Sequence, residues 1–514
     1  MIDFLSLMYD LYNYYIFMFV FFVCAVVSYY KKKQTLVNTT IEKAMLLFGI
    51  FMMGLGCSII IWWIPASLIG ELIRIIVGLL FVVLIGWWSP RLVNRLILIV
   101  KKISSKEKIK QLRYGIIIFT LWMLQFVIQL PESLVEWVQC WHATDYSMGI
   151  GSRFFVGSVI SLFYDQYMDV NVAYVFCTIV VILLIAVCSY MLGRLMNKSK
   201  YKVAIAFLIA CFWACPASLS SYWTPENFGR LEFYSLFVTL ISICLFLSSK
   251  KKWLKYGILC LGVVVCNAIY QGYVFLYFPL VFIVIVCEAY KTGYKKEELI
   301  GGLLVLISVC ASFLFFQFGS SIAFETQKEF EEAIRAKSNV YICNPAIRYE
   351  LFMSISEVFE EVNIPFTFGD RHAREVSAVT AIVFAPIVTM GIALYLKCFE
   401  KFKEKGQNIF KNPYFWCILC QLAVLPQFVL NIDWGRWFIA IVVVFFFGVL
   451  YTLYIGLEEM TIAVVALERF VKKHYFVAVA VVLYLSLFAK MTDQGMRTQL
   501  LFIIKNLGRL IGIV

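Results

Sequence analysis

The chain has 514 residues, of which 62% are hydrophobic and 15% are charged, and its mean hydropathy is +0.86. Since soluble proteins average about 45–50% apolar and about 25% charged residues, this composition excludes an ordinary soluble domain. The net charge of +13 does not indicate a nucleic-acid binder, because the basic residues cluster in short loops between apolar runs. The runs are continuous rather than alternating, so they predict an all-α, polytopic helical membrane protein and exclude a β-barrel.

The N-terminal region, residues 1–113, is predicted to contain the first three spans. The apolar run from about Tyr12 to Tyr30 is followed by Lys31–Lys33, which places the N-terminus outside and the lysines inside. Spans near 44–63 and 67–88 then lead to a long basic amphipathic segment, Arg91–Arg113, on the cytoplasmic side.

The rest of the chain continues the same alternation of apolar spans and basic inner loops, which gives about fourteen transmembrane helices in all. We divide it into a module at 114–300, with a first large outer loop at 131–171, and a C-terminal module at 301–514, with an outer loop at 319–378. A span near 114–130 is followed by spans near 172–193, 203–220 and 233–248, two spans within 256–290, and spans near 300–317, 379–397, 413–430, 437–456 and 475–490.

Three stretches on the predicted outer side combine an acidic residue with glycine and arginine before an inward-heading span: HATDYSMGIGSRFFVGS, PENFGRLE and NIDWGRW. The first backbone N–H groups of a helix are unpaired and partly positive, glycine lets an anion approach them, and arginine adds a planar fork that matches phosphate. Arginine near a helix end also snorkels to lipid phosphates, which is the simpler interpretation of any one motif. The candidate residues are Asp145, Arg153, Glu226, Arg230, Glu232, Asp433 and Arg436.

Other residues give weaker signals. Tyr270 and Gln271 lie at a predicted outer turn and are candidates for a sugar site, although tyrosine is ordinary at the membrane interface. The outer segment at 319–378 is predicted to form amphipathic helices that either cover a cavity as a lid or simply connect two spans. It is too short for a separate enzyme domain.

The cysteines and histidines do not predict a metal site or a redox centre. Most of the 16 cysteines lie inside spans as small apolar residues, and the CxxC of Cys417 and Cys420 is itself within an apolar run. Cys140 and Cys343 both fall on the outer side, but spacing alone does not determine whether they pair. His142, His372 and His474 are too scattered for a metal site.

An acid in an outer loop after a span, followed by GSRFFVGSVISLFY, resembles the first large outer loop of GT-C-type membrane glycosyltransferases. The resemblance covers roughly residues 114–300 and implies that PESLVEWVQCW and RFFVGSVISLFY form two juxtamembrane helices with Asp145, the expected catalytic base, between them. It implies transfer of a sugar from a polyprenyl-phosphate-linked donor to a cell-envelope glycan or lipid acceptor, on the outer face of the cytoplasmic membrane.

The chemistry implied by this resemblance assigns a role to each candidate residue. Asp145 would accept the proton of the attacking hydroxyl, and Arg153, Arg230 and Arg436 would stabilise the lipid-phosphate leaving group. Glu226, Glu232 and Asp433 would orient those arginines or bind sugar hydroxyls. No cofactor is indicated, although a divalent cation is compatible with the chemistry, and the expected partners are the lipid-linked donor, the acceptor and membrane lipids, not nucleic acid.

Two other functions fit the same sequence. One is an outer-face polysaccharide polymerase that uses the same lipid-linked substrates with arginine-led catalysis. The other is a transporter or flippase for a lipid-linked or anionic solute, which should show polar residues at mid-membrane depth, broken helices and internal repeats. We see no clear repeat, and the charges lie at the predicted outer edge, which favours an enzyme.

Overall fold

The computed structural model describes residues 112–354, 356–357, 387, 389–391, 393–400, 402, 408–430 and 434–486. The chain divides into two units, 1–113 and 114–514, and nearly all of the described residues belong to the second. The predicted spans within 1–111, Asp433 of the NIDWGRW stretch, and residues 358–386 and 487–514 lie outside the described residues.

The structure is about 79% helical. Six of its described helices are long and apolar enough to cross a membrane. This confirms the coarser part of the prediction, a helical membrane protein. The count of about fourteen spans stays a prediction. The six candidate spans are Val170–Lys198, Lys202–Trp223, Leu231–Ser248, Lys252–Ile269, Lys296–Phe318 and Gly435–Ile455.

The helices whose bounds are given next are numbered in chain order. They are α1 (Arg113–Gln129), α2 (Glu136–Ala143), α3 (Phe154–Ile160), α4 (Val170–Lys198), α5 (Lys202–Ala214), α6 (Leu231–Ser248), α7 (Lys252–Ile269), α8 (Tyr273–Leu276), α9 (Phe278–Lys291), α10 (Lys296–Phe318), α11 (Gln327–Lys337), α12 (Asn344–Ile347), α13 (Pro413–Leu422), α14 (Leu425–Leu430), α15 (Trp434–Ile455), α16 (Glu458–Lys473) and α17 (Tyr475–Ser486).

Small residues let the long helices approach one another closely. A Cβ atom on Gly193 of α4 would lie 2.5 Å from the Cα atom of Gly115 in α1, so the two backbones touch there. Gly262 of α7 packs against Ser242 of α6 in the same way. Helix association within lipid depends on such close packing, because the lipid tails are as apolar as the side chains between helices.

The segment after α10 folds back onto the loop between α1 and α4. Strand β1 (Gly149–Ile150) pairs antiparallel with strand β2 (Ser321–Ile322), and Gly149 has a φ of 141°, which a side chain there would strain. The ring of Phe330 in α11 stacks on Phe154 of α3 at 6.3 Å between centroids. We call residues 319–352 the outer strap, because these contacts hold it across α2 and α3.

The helix ends fall into two groups. Contacts described below join the N-termini of α6 and α15 with the C-terminus of α7, and we call this end of the helices the site end. At the opposite end the loops carry a high density of lysines, so we call it the basic end. The described lysines of the basic end include Lys198, Lys200, Lys202, Lys250, Lys251, Lys252, Lys255, Lys291, Lys295 and Lys296.

Candidate functional site

A buried ion pair joins the N-termini of two spanning helices at the site end. Nη1 of Arg436, in the first turn of α15, lies 2.9 Å from Oε1 of Glu232 in the first turn of α6. The side chains are only 10% and 3% exposed. Because each charge is costly to bury without a partner, the pair fixes the relative positions of the two helix ends.

A second ion pair lies beside the first and involves Arg153 of the HATDYSMGIGSRFFVGS stretch. Nη2 of Arg153 donates to Oε1 of Glu350 in the outer strap at 2.5 Å. Arg153 itself has a φ of 79°, in the left-handed region that non-glycine residues rarely adopt. Its backbone N–H donates to the carbonyl of Ala268 at 3.0 Å, and Ser152 Oγ donates to the carbonyl of Asn267 at 2.9 Å. The end of α7 therefore holds Arg153 in a strained conformation, which is a common property of functional positions.

Tyr270 connects the two ion pairs. The guanidinium of Arg153 lies 5.0 Å from the centroid of the Tyr270 ring, and Nη2 of Arg436 lies 3.5 Å from the Tyr270 hydroxyl oxygen. Burial raises the pKa of Tyr270 to about 12, so the hydroxyl stays protonated at neutral pH. The ring of Trp141 from α2 faces the same Arg153 guanidinium at 5.3 Å, and each aromatic face favours a cation over it.

Gln271 completes the set from the neighbouring position. Its Nε2 donates to Oε2 of Glu350 at 3.1 Å, so the Glu350 carboxylate binds Arg153 with one oxygen and Gln271 with the other. Glu350 of the outer strap thus neutralises the charge of Arg153. The result is a continuous set of contacts from Glu350 through Arg153 and Tyr270 to Arg436.

Several buried polar atoms around this set have no hydrogen-bond partner among the described residues. They include the hydroxyl of Tyr277, Nε1 of Trp437, Oε1 of Gln271 and Nε of Arg153. The guanidinium of Arg436 lies 4.9 Å over the Trp437 ring, so that indole is part of the same region. Since buried polar groups in native structures are nearly always paired, a polar ligand at the site end would account for several of these atoms together.

Asp145 lies in a different set of contacts. Its Oδ1 accepts from the Ser147 backbone N–H at 2.9 Å, which caps the short turn Tyr146–Met148, and Nζ of Lys337 lies 3.1 Å from Oδ2 and 3.3 Å from Oδ1. Burial alone would raise the pKa of Asp145, but the hydrogen bonds from Ser147 and Lys337 outweigh it and lower the pKa. Asp145 is therefore a carboxylate at neutral pH, as a general base requires.

Tyr164 is a further group beside this carboxylate. Burial and the charge of Asp145 raise the pKa of the Tyr164 hydroxyl, so this group is a neutral donor close to Asp145.

The PENFGRLE motif forms a tight turn at the start of α6. Gly229 has a φ of 94°, and a Cβ atom there would lie 2.7 Å from Cδ2 of Leu134. Arg230 is the N-cap residue of α6 and is buried, and its Nε donates to the carbonyl of Glu226 at 3.3 Å. Glu226 itself is half-buried. Two residues after Arg230 the helix presents Glu232 to Arg436.

His142 and Cys140 have structural surroundings. His142 Nδ1 lies 2.9 Å from the carbonyl of Val138 and its Nε2 lies 3.0 Å from the Tyr234 hydroxyl; burial lowers the pKa of His142 to about 4. The imidazole is therefore neutral. Cys140 and Cys343 are both buried free thiols, and burial raises the pKa of Cys140 to about 12, so neither is a thiolate at neutral pH.

The structure thus brings five of the sequence-predicted residues into one region. Trp141 and Glu350 were not predicted, and only the mixed charge of the strap hinted at Glu350. Lys337 was not predicted either. Asp145 pairs with the strap, Glu226 and Arg230 form the adjoining turn, and Asp433 lies outside the described residues. The five are Arg153, Glu232, Tyr270, Gln271 and Arg436.

The comparisons with known proteins add no assignment. No family model, curated protein or solved structure matches this chain. Within the part of the chain that the structure describes, no group of three or more His, Cys, Asp or Glu side chains is placed to hold a metal ion.

Proposed function

We propose that the protein is a membrane glycosyltransferase that transfers a sugar from a polyprenyl-phosphate-linked donor to a cell-envelope glycan or lipid. The observation that carries this proposal is the convergence of the Arg153 and Arg436 ion pairs on Tyr270 at the site end. A lipid phosphate bound there meets two guanidinium groups at the membrane edge, with its hydrocarbon tail among the helices.

The arginines support the chemistry of the leaving group. As the glycosidic bond breaks, negative charge develops on the lipid phosphate, and donors already fixed in place stabilise that charge without reorganisation. Arg436 is fixed by Glu232, while Arg153 is fixed by Glu350 and two aromatic rings. The phosphate would share the guanidinium groups with these carboxylates or displace Glu350, whose side chain is the more exposed of the two at 28%.

Asp145 is the proposed base for the acceptor hydroxyl. Its lowered pKa keeps it ionised, and Tyr164 lies near it as a donor for a sugar hydroxyl. Lys337 engages both carboxylate oxygens, so proton transfer to Asp145 requires the strap to release this lysine. The strap is then a lid over the acceptor side of the site.

A polysaccharide polymerase with arginine-led catalysis is the second candidate, and one specific observation favours it. The Asp145 carboxylate is bound by Lys337, whereas Arg153 and Arg436 lie together with buried polar atoms beside them. In that mechanism the arginines bind the lipid-phosphate end of the growing chain and Asp145 has only a structural role.

A transporter is less well supported by the positions of the charges. Transport pathways place ionisable groups near mid-membrane depth. In the six described spans, the buried charged side chains are Glu232, Glu298 and Arg436, each in the first turn of its helix.

We place the protein in the cytoplasmic membrane with the site end outward. The lysines of the basic end support this orientation, because cytoplasmic loops carry the excess of Lys and Arg. Labelling of engineered cysteines in intact cells tests it. Labelling at position 251 without labelling at position 350 would contradict the proposed orientation.

The function is tested with the purified full-length protein in two assays. Binding of polyprenyl phosphate alone is followed by tryptophan fluorescence, and its release is measured from polyprenyl-phosphate glucose, galactose and mannose. Arg436→Lys should weaken binding by about tenfold or more, since a planar fork is replaced by a point charge. Asp145→Asn should leave binding within about twofold and lower turnover by about 10²–10⁴-fold.

Lys328→Gln, on the exposed face of α11, is the matched control and should change neither assay. Severe loss in the arginine variant with mild loss in Asp145→Asn would favour the polymerase. Wild-type protein that neither binds polyprenyl phosphate nor releases it from any donor would contradict the proposal in both forms.

A further inference from the structure

A cavity opens between α4, α6 and α15, in the halves of these helices that lead to the basic end. Its walls are almost entirely hydrocarbon. The residues that form them include Leu192, Leu195, Leu240, Leu247, Phe447 and Leu450. Such a lining suits an alkyl chain rather than a polar solute.

The mouth of the cavity is cationic. Arg194 of α4 lies between two aromatic rings, with its guanidinium carbon 5.6 Å from the Tyr190 centroid and 5.9 Å from the Tyr454 centroid. Its Nη1 donates to the Tyr190 hydroxyl at 3.2 Å. One turn further, Nζ of Lys198 lies 4.5 Å from the Tyr454 centroid and donates to the Tyr454 carbonyl at 2.8 Å.

Within the described part of the chain, these two cations are held in place without a counter-charge. Among the described residues, neither Arg194 nor Lys198 has a carboxylate within ion-pair distance, although aromatic and carbonyl contacts fix both side chains. Other lysines of the basic end are differently arranged; Lys252, for example, pairs with Glu297 and Glu298. An anion bound at the mouth would therefore supply a counter-charge to two cations whose positions are already fixed.

We propose that this cavity is a binding site for an anionic glycerophospholipid, with one acyl chain in the hydrocarbon-lined space and the headgroup phosphate against Arg194 and Lys198. The wall from Leu240 to Leu247 rises about 10 Å along α6, which matches part of an acyl chain lying parallel to the helix. The combination of an alkyl slot with two ordered cations at its opening distinguishes this site from the general lipid-facing surface.

The proposal does not rest on the proposed function. The bound lipid would fill space between α4, α6 and α15 and hold them together near the basic end. Since α6 and α15 carry Glu232 and Arg436 at their other ends, occupancy would also stabilise the spacing on which that buried pair depends.

The test uses purified full-length protein in a neutral detergent. Bound lipid is counted by native mass spectrometry during titration with phosphatidylglycerol, phosphatidylcholine or polyprenyl phosphate, and thermal stability is measured in parallel. We expect phosphatidylglycerol to bind at least about tenfold more tightly than phosphatidylcholine, as charge-assisted contacts to a phosphate-bearing anion predict. Polyprenyl phosphate should not compete at equal concentration.

Three variants complete the experiment. Arg194→Gln should weaken phosphatidylglycerol binding by about fivefold to tenfold, and Cys244→Phe, which fills the cavity from α6, should remove it. Lys255→Gln is the matched control, because Lys255 also lies over an aromatic ring, Phe246, at the same end but outside the cavity lining. It should bind like the wild type.

Three outcomes would overturn the proposal: equal binding of the two phospholipids, equal losses in Arg194→Gln and Lys255→Gln, or displacement of bound phosphatidylglycerol by an equal concentration of polyprenyl phosphate. Should Cys244→Phe fail to fold, Cys244→Leu adds a smaller bulk at the same position and should reduce binding without abolishing it.

Discussion

The Arg436–Glu232 pair and the Lys337–Asp145 pair bind a cation to a carboxylate at similar distances, 2.9 Å and 3.1 Å, but in different surroundings. The first joins two spanning helices and is almost inaccessible, whereas Lys337 is one-third exposed at the C-terminus of α11 in the outer strap. A buried pair cannot lose one partner cheaply, while an exposed pair is screened and exchanges readily with water. The comparison therefore separates a fixed part of the site from a part that is able to open.

The strap contributes one charge to each of two ion pairs outside the fixed part of the site. Glu350 reaches Arg153, and Lys337 reaches Asp145. Both strap side chains are more exposed than the partners they bind, so movement of the strap would expose the arginine and the carboxylate together while leaving Arg436 and Glu232 in place. The following predictions test this division in order of decreasing effect.

The largest effect is expected when the buried pair is broken. Glu232→Gln leaves the Arg436 guanidinium buried beside a neutral group and should lower the free energy of unfolding by about 3–5 kcal/mol. The measurement is detergent-induced unfolding of the purified protein. The double variant Glu232→Leu/Arg436→Met should lose less than the sum of its single changes, because no uncompensated charge remains. Additive losses would mean that the pair is not coupled.

A smaller effect is expected from the Arg153–Glu350 pair, which connects the strap to the end of α7 through Arg153. Glu350→Gln keeps the shape of the side chain but removes its charge, and it should lower the free energy of unfolding by about 1–2 kcal/mol, as loss of a charge-assisted hydrogen bond does. Polyprenyl phosphate should bind this variant more tightly, since Arg153 is released. Weaker phosphate binding would show that Glu350 belongs to the ligand site rather than to a cover over it.

The sequence predicted much of the helical framework but only part of these contacts. The basic loops and apolar runs placed a span near 172–193, which the structure shows as Val170–Lys198, and the turn near Tyr270 separates α7 from α8 as expected. Short helices lie on either side of Asp145, as α2 and α3, while their juxtamembrane position stays a prediction. These features depend on local hydrophobicity and charge, which a sequence displays directly.

The pairing of charges was not predictable in the same way. Arg153 and Glu350 are 197 positions apart, and nothing local distinguishes Glu350 from its acidic neighbours in the strap. The left-handed conformation of Arg153 was also hidden, because glycine or asparagine is the usual sign of such a position. Long-range ion pairs depend on how distant helices pack, and a single sequence carries no periodic signal for that packing.

A third prediction concerns pH and the exposed pair. The folded pKa of Asp145 is lowered, so its stabilising contribution is complete well above the ordinary carboxyl pKa and is lost as the pH falls through the lowered value. Between pH 6 and pH 3, wild-type protein should lose up to about 1 kcal/mol more stability than Asp145→Asn, because the pair is partly exposed and screened. An identical pH dependence in both proteins would show that the pair contributes nothing to folding.

The smallest effect is expected on the solvent-exposed face of α11 in the strap. Lys328 and Glu332 form an i,i+4 pair at 3.9 Å on α11, but their side chains are 86% and 64% exposed, so water and salt screen the interaction almost completely. Lys328→Gln should therefore change the free energy of unfolding by less than about 0.5 kcal/mol and leave polyprenyl phosphate binding unaltered. Lys337→Gln, nine residues along on the same helix, should instead release Asp145 and raise its pKa, since its cation is removed. If Lys328→Gln altered binding as strongly as Lys337→Gln, the strap would act through its overall charge, and the assignment of separate roles to Lys337 and Glu350 would fail.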